Sequence, residues 1–431
     1  MEQRPDEIPP SKLITALDRY DLLPAIVFLP TRRKCDEAAA EVAADRSQRA
    51  DPVRQAKRQG IFTDFAKYFP EVLDHKHSKL IVRAGVAAHH AGHIPSWKLL
   101  IERMMSGGLL NALFATSTVA AGVDFPARSV VISNADTRGN EGWRPLKASE
   151  LQQMTGRAGR RGRDNVGFAI LAPGQFQNPK RIAELLKAPP DALESRFRAT
   201  YTSLLNLLDA FGNFGQVKEI AERSFAFRDN VQDERDGDGP TLISDRLWEP
   251  FENRARVLDH FGYLNFQEEK VTAAGKWLAD LRIDRPLLVG EALTHGIFDG
   301  LSISEAAGLM AAVASDAERN YGQMRSTRRM VDILAELEDI VVTVSNVEWK
   351  NGVEIAEEIN YSAAAAAERW TAGMSWDELV DRTKAEEGDL VRLLSRTGEA
   401  LRQLANLKKN NPAVAAVANN ASEAILREPV R

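Results

Sequence analysis

Four short apolar runs constrain this chain more than any other feature. They are Ala25–Leu29 (AIVFL), Leu110–Ala115 (LNALFA), Arg128–Ser133 (RSVVIS) and Phe168–Leu171 (FAIL). Each has the length of a strand and little of the alternation that marks a strand wetted on one face. The first two, Ala25–Leu29 and Leu110–Ala115, are expected of strands buried on both faces, as in a parallel sheet. The first is broken by Pro30-Thr31, and Arg32–Asp45 then resumes at helical spacing. Strand, polar turn and helix is the repeating unit of an α/β domain. Ahead of it, Ser11–Tyr20 sets Leu13, Ile14 and Leu17 on one helical face, while the charged stretch Asp51–Phe69 reads as a helical insertion. Past Pro173 the alternation stops and nearly every segment reads helical. The expected fold class is α/β followed by all-α.

The segment before the last strand, LQQMTGRAGRRGRDNVGFAIL, carries Arg157, Arg160, Arg161 and Arg163 among small Gly and Ala. Arginine suits a polyphosphate because its planar guanidinium makes two parallel hydrogen bonds and keeps its charge. A basic, solvated tail is the bland alternative. A tail would not lie between an amphipathic helix pattern and a strand.

QMTGRAGRRGRD resembles motif VI of superfamily-two helicases, in the form carried by superkiller-type (Ski-like) DExH RNA helicases. The resemblance implies that Gln153, Arg157 and Arg160 line an ATP cleft, the two arginines as arginine fingers. Phe28–Arg33 (FLPTRR) is similar to motif IV. Ala115–Ala127 (ATSTVAAGVDFPA) closely resembles motif V, which implies that Thr116 and Thr118 touch a nucleic-acid backbone while Gly122 and Asp124 lie by the nucleotide. Many relatives have Asn at the position of Asp124. Between these motifs, Asn134–Ala148 is polar and rich in turn formers. It reads as a surface loop or, by the resemblance, as the hairpin that parts strands, with Trp143 as its stacking residue.

Ala84–Gly92 (AGVAAHHAG) and His93 bring His89, His90 and His93 within five residues. A metal site needs a fuller ligand set than these supply, since no cysteine or clustered carboxylate joins them. The stretch is expected to be a Gly-rich loop without metal. Relatives carry a similar HHAG, which implies a loop near the nucleic-acid path with His90 as a contact; a packed core histidine is the alternative.

Beyond residue 180, Ala188–Leu208 and Arg223–Asp229 resemble the start and continuation of the family's winged-helix domain. Asp229–Pro240 is an acidic, Gly-rich linker or wing, too short for the arch of exosome-linked members. Arg319–Arg329 (RNYGQMRSTRR) is a basic stretch opening a long helix, a solvated face or, at Arg325 and Arg328, a nucleic-acid contact. Trp370–Leu407, with EGDLVR, resembles the family's C-terminal helical (DSHCT-like) domain. The resemblance therefore implies a second RecA-like domain over 1–180, a winged helix over 181–271 and a helical bundle over 272–431.

The 431 residues have a net charge of −5, with 44% apolar and 27% charged side chains, so any nucleic-acid site is a local patch. The single cysteine, Cys35, excludes an internal disulfide and suits a reducing cytoplasm. No apolar run approaches a membrane span, and no membrane partner is expected. The P-loop GxxxxGK[ST] is missing, and neither Asp36-Glu37 nor Asp233-Glu234 follows a buried strand as a Mg²⁺-holding pair would. In the family those motifs lie on a first RecA-like domain. The expected function is thus the C-terminal portion, or one subunit, of an ATP-dependent RNA helicase. It would supply arginine fingers and a nucleic-acid channel, with ATP and Mg²⁺ bound mainly by the first domain in cis or in trans. Single-stranded RNA and RNA-degradation machinery are the implied partners. The alternatives are a DNA substrate, or a non-catalytic nucleic-acid-binding adaptor that kept the fold.

Overall fold

Strand β1 (Ala25–Phe28) is buried along its whole length and pairs on both sides, in parallel, with β3 (Ala112–Ala115) and β4 (Ser129–Ile132). β2 (Val86–His89) extends the sheet beyond β3, and β7 (Phe168–Leu171) extends it beyond β4, giving the order β2-β3-β1-β4-β7. The computed structural model describes residues 7–45, 51–117, 125, 127–139, 142–191, 198–223, 240–316, 319–355 and 358–431. Contacts divide the chain into a first unit, Met1–Ala192 with Glu387–Asp389, and a second, Leu193–Glu386 with Leu390–Arg431.

All five strands run the same way, so the first unit has two chemically distinct edges. Pro24, Gly85, Asn111, Arg128 and Gly167 enter the strands at the amino edge; Leu29, His90, Thr116, Ser133 and Ala172 leave at the carboxyl edge. α1 (Pro10–Arg19) and α2 (Arg32–Ala44) bury Ile14, Leu17, Cys35, Ala38 and Val42 in one core with Val27, Ala88 and Phe114 of the sheet. Thr31 caps α2, its side chain accepting from the Lys34 amide at 3.3 Å. The charged insertion is a helix, α3 (Pro52–Ala66), followed by α4 (Ser78–Ala84).

Arg58 of α3 is fully buried, and burial lowers its pKa. A buried cation is tolerable only with its hydrogen bonds made. Arg58 meets that condition by donating to the carbonyls of Val82 (2.8 Å), Leu109 (3.1 Å) and Arg83 (3.3 Å). Gly85 ends α4 at φ 67°, and a Cβ there would stand 2.7 Å from the Arg58 guanidinium. The stretch expected to be a Gly-rich loop therefore contains a strand, β2. Its short side chains let it lie fully buried against β3. α5 (Pro95–Ser106) follows and buries Trp97, Leu100, Ile101 and Met104.

The polar stretch after β4 is an antiparallel hairpin, β5 (Asp136–Gly139) and β6 (Gly142–Pro145), with Arg138 opposite Trp143. α6 (Ala148–Thr155) leads to β7, and α7 (Pro179–Lys187) follows it.

In the second unit the described elements begin with helices Tyr201–Phe211, Phe214–Glu222 and Pro240–His260. A two-stranded ribbon, Leu264–Asn265 with Lys270–Val271, comes next. Eight further described helices share one core with this part. Helix Ile303–Ala314 is buried throughout from Glu305 onward and packs on helix Tyr361–Thr371, whose alanine run Ala363–Ala367 is also buried. Trp370, 1% exposed, closes the C-terminal end. Its indole N–H donates to the Ile425 carbonyl at 2.8 Å, and the Arg427 guanidinium lies 3.6 Å over its ring. No described helix is long and apolar enough to cross a membrane.

Trp370→Ala removes a filled core volume together with that N–H bond. It should cost about 3–5 kcal/mol in urea unfolding followed by circular dichroism. Trp349, 69% exposed, serves as the control, with an expected loss within about 0.5 kcal/mol.

Candidate nucleotide and nucleic-acid site

α6 buries Leu151 and Met154 and leaves Gln153 exposed. The chain then turns at Gly156 into the arginine-rich loop and enters β7. Two backbone contacts stitch this loop to the strand neighbouring β7. Ala158 bridges Ala127, just ahead of β4, and the Gly159 amide donates to the Ala127 carbonyl at 2.8 Å. Gly159 sits at φ 92°. Gly167 closes the loop, where a Cβ would fall 2.4 Å from the Ala158 carbonyl carbon, so no other residue fits.

Arg157, Arg160, Arg161 and Arg163 line a cleft of about 370 Å³ shared with Pro24 and Gly108. Pro24, Gly108 and this loop precede β1, β3 and β7, so the arginines gather at the amino edge of the sheet. The general preference for ligands at the carboxyl ends of strands holds for none of them. The loop's net effect is concentrated positive charge beside apolar Phe125 and Met105, suited to an anionic group.

Arg160 does not project freely. Its Nε and Nη2 fork onto the carboxylate of Asp164 at 2.7 and 2.8 Å, and its backbone amide donates to the same carboxylate at 2.9 Å. Arg128 reaches Asp164 at 3.2 Å and Asp21, also at 3.2 Å. The Arg160 hydrogen bonds hold the Asp164 carboxyl well below the usual carboxylate range. Asp164 was not singled out by sequence reasoning; its position four residues after Arg160 was the available signal.

The residues expected at nucleic acid fall elsewhere. Thr116 leaves β3 at the carboxyl edge, and the neighbouring Ser117 hydroxyl meets Thr137 of β5 at 3.2 Å. The hairpin therefore stands over the same edge. Trp143, 58% exposed, stacks on Phe176 with ring centroids 6.4 Å apart, a pairing absent from the sequence reading. Arg144 is committed to Glu150 of α6 through a two-point ion pair, one contact at 2.8 Å. Thr118, Gly122 and Asp124 lie outside the described residues. In the second unit Arg325 and Arg328 are exposed. The stretch leading to them is anchored by the side chain of buried Asn360, which donates to the Asp316 and Arg319 carbonyls at 2.9 and 2.6 Å.

His90 is a correction. Its ring is 1% exposed and faces Asp36 of α2, with Nε2 3.1 Å from the carboxylate, so it offers no surface to a nucleic acid. The expectation that no carboxylate accompanies these histidines is also overturned. Asp36 lies 54 residues away in the chain and among them in space. Burial pushes the neighbouring imidazoles of His77 and His93 down to about 4, leaving them neutral at pH 7.

Comparison with known proteins adds a family. Residues 268–431 match the DSHCT (NUC185) domain. The chain is 36% identical over 227 residues to the DExH-box ATP-dependent RNA helicase DExH15 chloroplastic of Arabidopsis thaliana, covering 48% of this chain and 19% of that protein. It is 34% identical over 227 residues to Superkiller complex protein 2 of Homo sapiens, covering 50% and 17%. It is 33% identical over 202 residues to the Exosome RNA helicase MTR4 of Homo sapiens, covering 46% and 19%. The aligned segment spans less than a fifth of each relative.

The Asp164 tie makes stability depend on pH in a stated direction. A carboxyl whose folded pKa is depressed stabilises the fold above its unfolded pKa of about 4, and that contribution fades as pH falls through the acid range. Asp164→Asn should cost on the order of 1–3 kcal/mol at pH 7. In chemical denaturation the gap to wild type should narrow steadily between about pH 5 and pH 3. A gap that stays constant over that range contradicts the tie.

Proposed function

From the premise that residues 268–431 form a DSHCT domain and that the chain is related to the superkiller-type DExH helicases, we propose that it is the arginine-supplying and nucleic-acid-engaging part of an ATP-dependent RNA helicase. One observation carries this reading. Four arginines of a single stitched loop line one cleft at the amino edge of a parallel sheet. Arg157 and Arg160 are assigned to the developing charge on the γ-phosphate, with Gln153 beside them on α6. Asp164 holds the Arg160 fork in a fixed plane, which lowers the entropy lost when a phosphate takes its place. The donor set fits an anion and lacks the P-loop lysine and the Mg²⁺ carboxylate, so a first RecA-like domain completes the motor in cis or in trans.

The carboxyl edge is assigned to single-stranded RNA, with Thr116 and Thr118 on the backbone and the Trp143–Phe176 pair as a stacking platform. The first three described helices of the second unit, followed by a two-stranded ribbon, have the element order of a winged helix. Arg325 and Arg328 add phosphate contacts, and a cytoplasmic setting with RNA-degradation partners completes the proposal.

The decisive experiment supplies a first RecA-like domain with an intact P-loop, by fusion or as a second chain. ATPase activity should then appear and fall by on the order of 10³-fold in Arg157→Ala and in Arg160→Ala. Arg160→Lys keeps the charge, loses the fork and should remain badly impaired. Wild-type turnover in both alanine variants rejects the motor reading in favour of the adaptor.

Binding of labelled single-stranded RNA to the chain alone should weaken steeply with salt. Trp143→Ala should lower affinity by about 1–3 kcal/mol in fluorescence anisotropy, the worth of one stacked base. Unchanged affinity removes the hairpin from the RNA path.

A further inference from the structure

Five of the first unit's histidines, His75, His77, His89, His90 and His93, are buried, and four of them surround a single carboxylate or one another. Asp36 Oδ1 lies 3.1 Å from His90 Nε2, 3.3 Å from His93 Nε2 and 3.7 Å from His77 Nδ1. The donor atoms of Asp36, His90 and His93 all fall within 4.8 Å of one another. These are unusual neighbours for a packed core. Among the described residues, His77 Nδ1 and His93 Nδ1 are buried without a hydrogen-bond partner, and His93 Nε2 has only its 3.3 Å approach to Asp36. Unpaired buried polar atoms cost free energy, and several at one point call for an occupant.

We propose that Asp36, His90 and His93 form a binding site for one divalent transition-metal ion, zinc by preference, with His77 at its edge. The spacing supports this. A tetrahedral zinc with arms of about 2.0–2.1 Å sets its donor atoms roughly 3.3–3.4 Å apart. Asp36 Oδ1 stands 3.1 Å from His90 Nε2 and 3.3 Å from His93 Nε2, close to that figure. Two imidazoles and one carboxylate are a donor set that zinc accepts, and hard cations such as Mg²⁺ disfavour it. Lys76 Nζ holds the other carboxylate oxygen at 2.7 Å, an outer partner that orients Asp36. His75 stacks on Trp97 at 3.8 Å and packs edge-on to His93, fixing its ring plane.

One contact must change on binding. The Gly92 amide donates to His90 Nδ1 at 3.1 Å, so the neutral ring carries its proton on Nε2. Ligation through Nε2 moves that proton to Nδ1 and turns the Gly92 amide aside. The 90–93 turn therefore rearranges locally as the metal enters. Chemically the ion acts as a staple. It ties α2, through Asp36, to the turn at the carboxyl end of β2, the edge at which Thr116 also emerges.

The test uses the whole purified chain, stripped with a chelator and titrated with Zn²⁺ and, separately, Co²⁺. Expected are uptake of about one ion per chain and, for Co²⁺, the intense visible absorption of a tetrahedral site. Zn²⁺ should also raise the melting temperature. His93→Ala and Asp36→Asn should each weaken zinc at least 10-fold in competition with a chromophoric chelator, while His260→Ala, outside the cluster, should not. The wild-type stoichiometry and cobalt spectrum decide the matter even where a variant fails to fold. A folded wild-type chain that takes up no stoichiometric zinc, a weak octahedral cobalt spectrum, or full affinity in folded His93→Ala overturns the proposal.

Discussion

Parallel pairing of β1 with β3 and β4 is the constraint on which the first unit depends. β1 has no wet face, so its backbone groups must be met by neighbouring strands, and its register sets theirs. A parallel sheet also needs a crossover for every strand. Those crossovers deliver loops alternately to two edges. The arginine loop and the Thr116 segment with its hairpin fall on opposite edges for this reason.

Charge in this unit is held in place. Arg58 is bound by three carbonyls, Arg144 by Glu150, and Arg160 by Asp164. A guanidinium on a flexible stem loses rotamer entropy when it meets a ligand. Arg160 has lost much of it already through its fork on Asp164. The cost is competition, because any anion taking those donors would have to displace the Asp164 carboxylate. Arg161 and Arg163 are exposed on the same loop and add to its positive charge.

Much of the fold was legible residue by residue. The apolar runs at Ala25, Leu110, Arg128 and Phe168 each became a parallel strand, and the turn formers after Asn134 became a hairpin. Motif VI became the end of α6 and a loop closed by Gly159 and Gly167. β2 escaped notice because Val86-Ala87-Ala88-His89 carries only one branched apolar side chain, and alanine is depleted in strands. It becomes a strand because it fills the sheet edge beside β3, which propensity does not record. Trp143 read correctly as an exposed aromatic, but its partner Phe176 arrives from beyond β7.

Pattern and spacing along the chain determined the fold class and the arginine loop, because those depend on neighbours within a turn or a strand, while the DSHCT segment was legible only as a family resemblance. Tertiary structure alone decided which charges meet. Asp164 was near enough in sequence to be found, whereas Asp36 reaches His90 across 54 residues and one parallel crossover. A carboxylate and an imidazole interact over a few ångströms, and no local period in a sequence encodes a distance that only chain folding brings about.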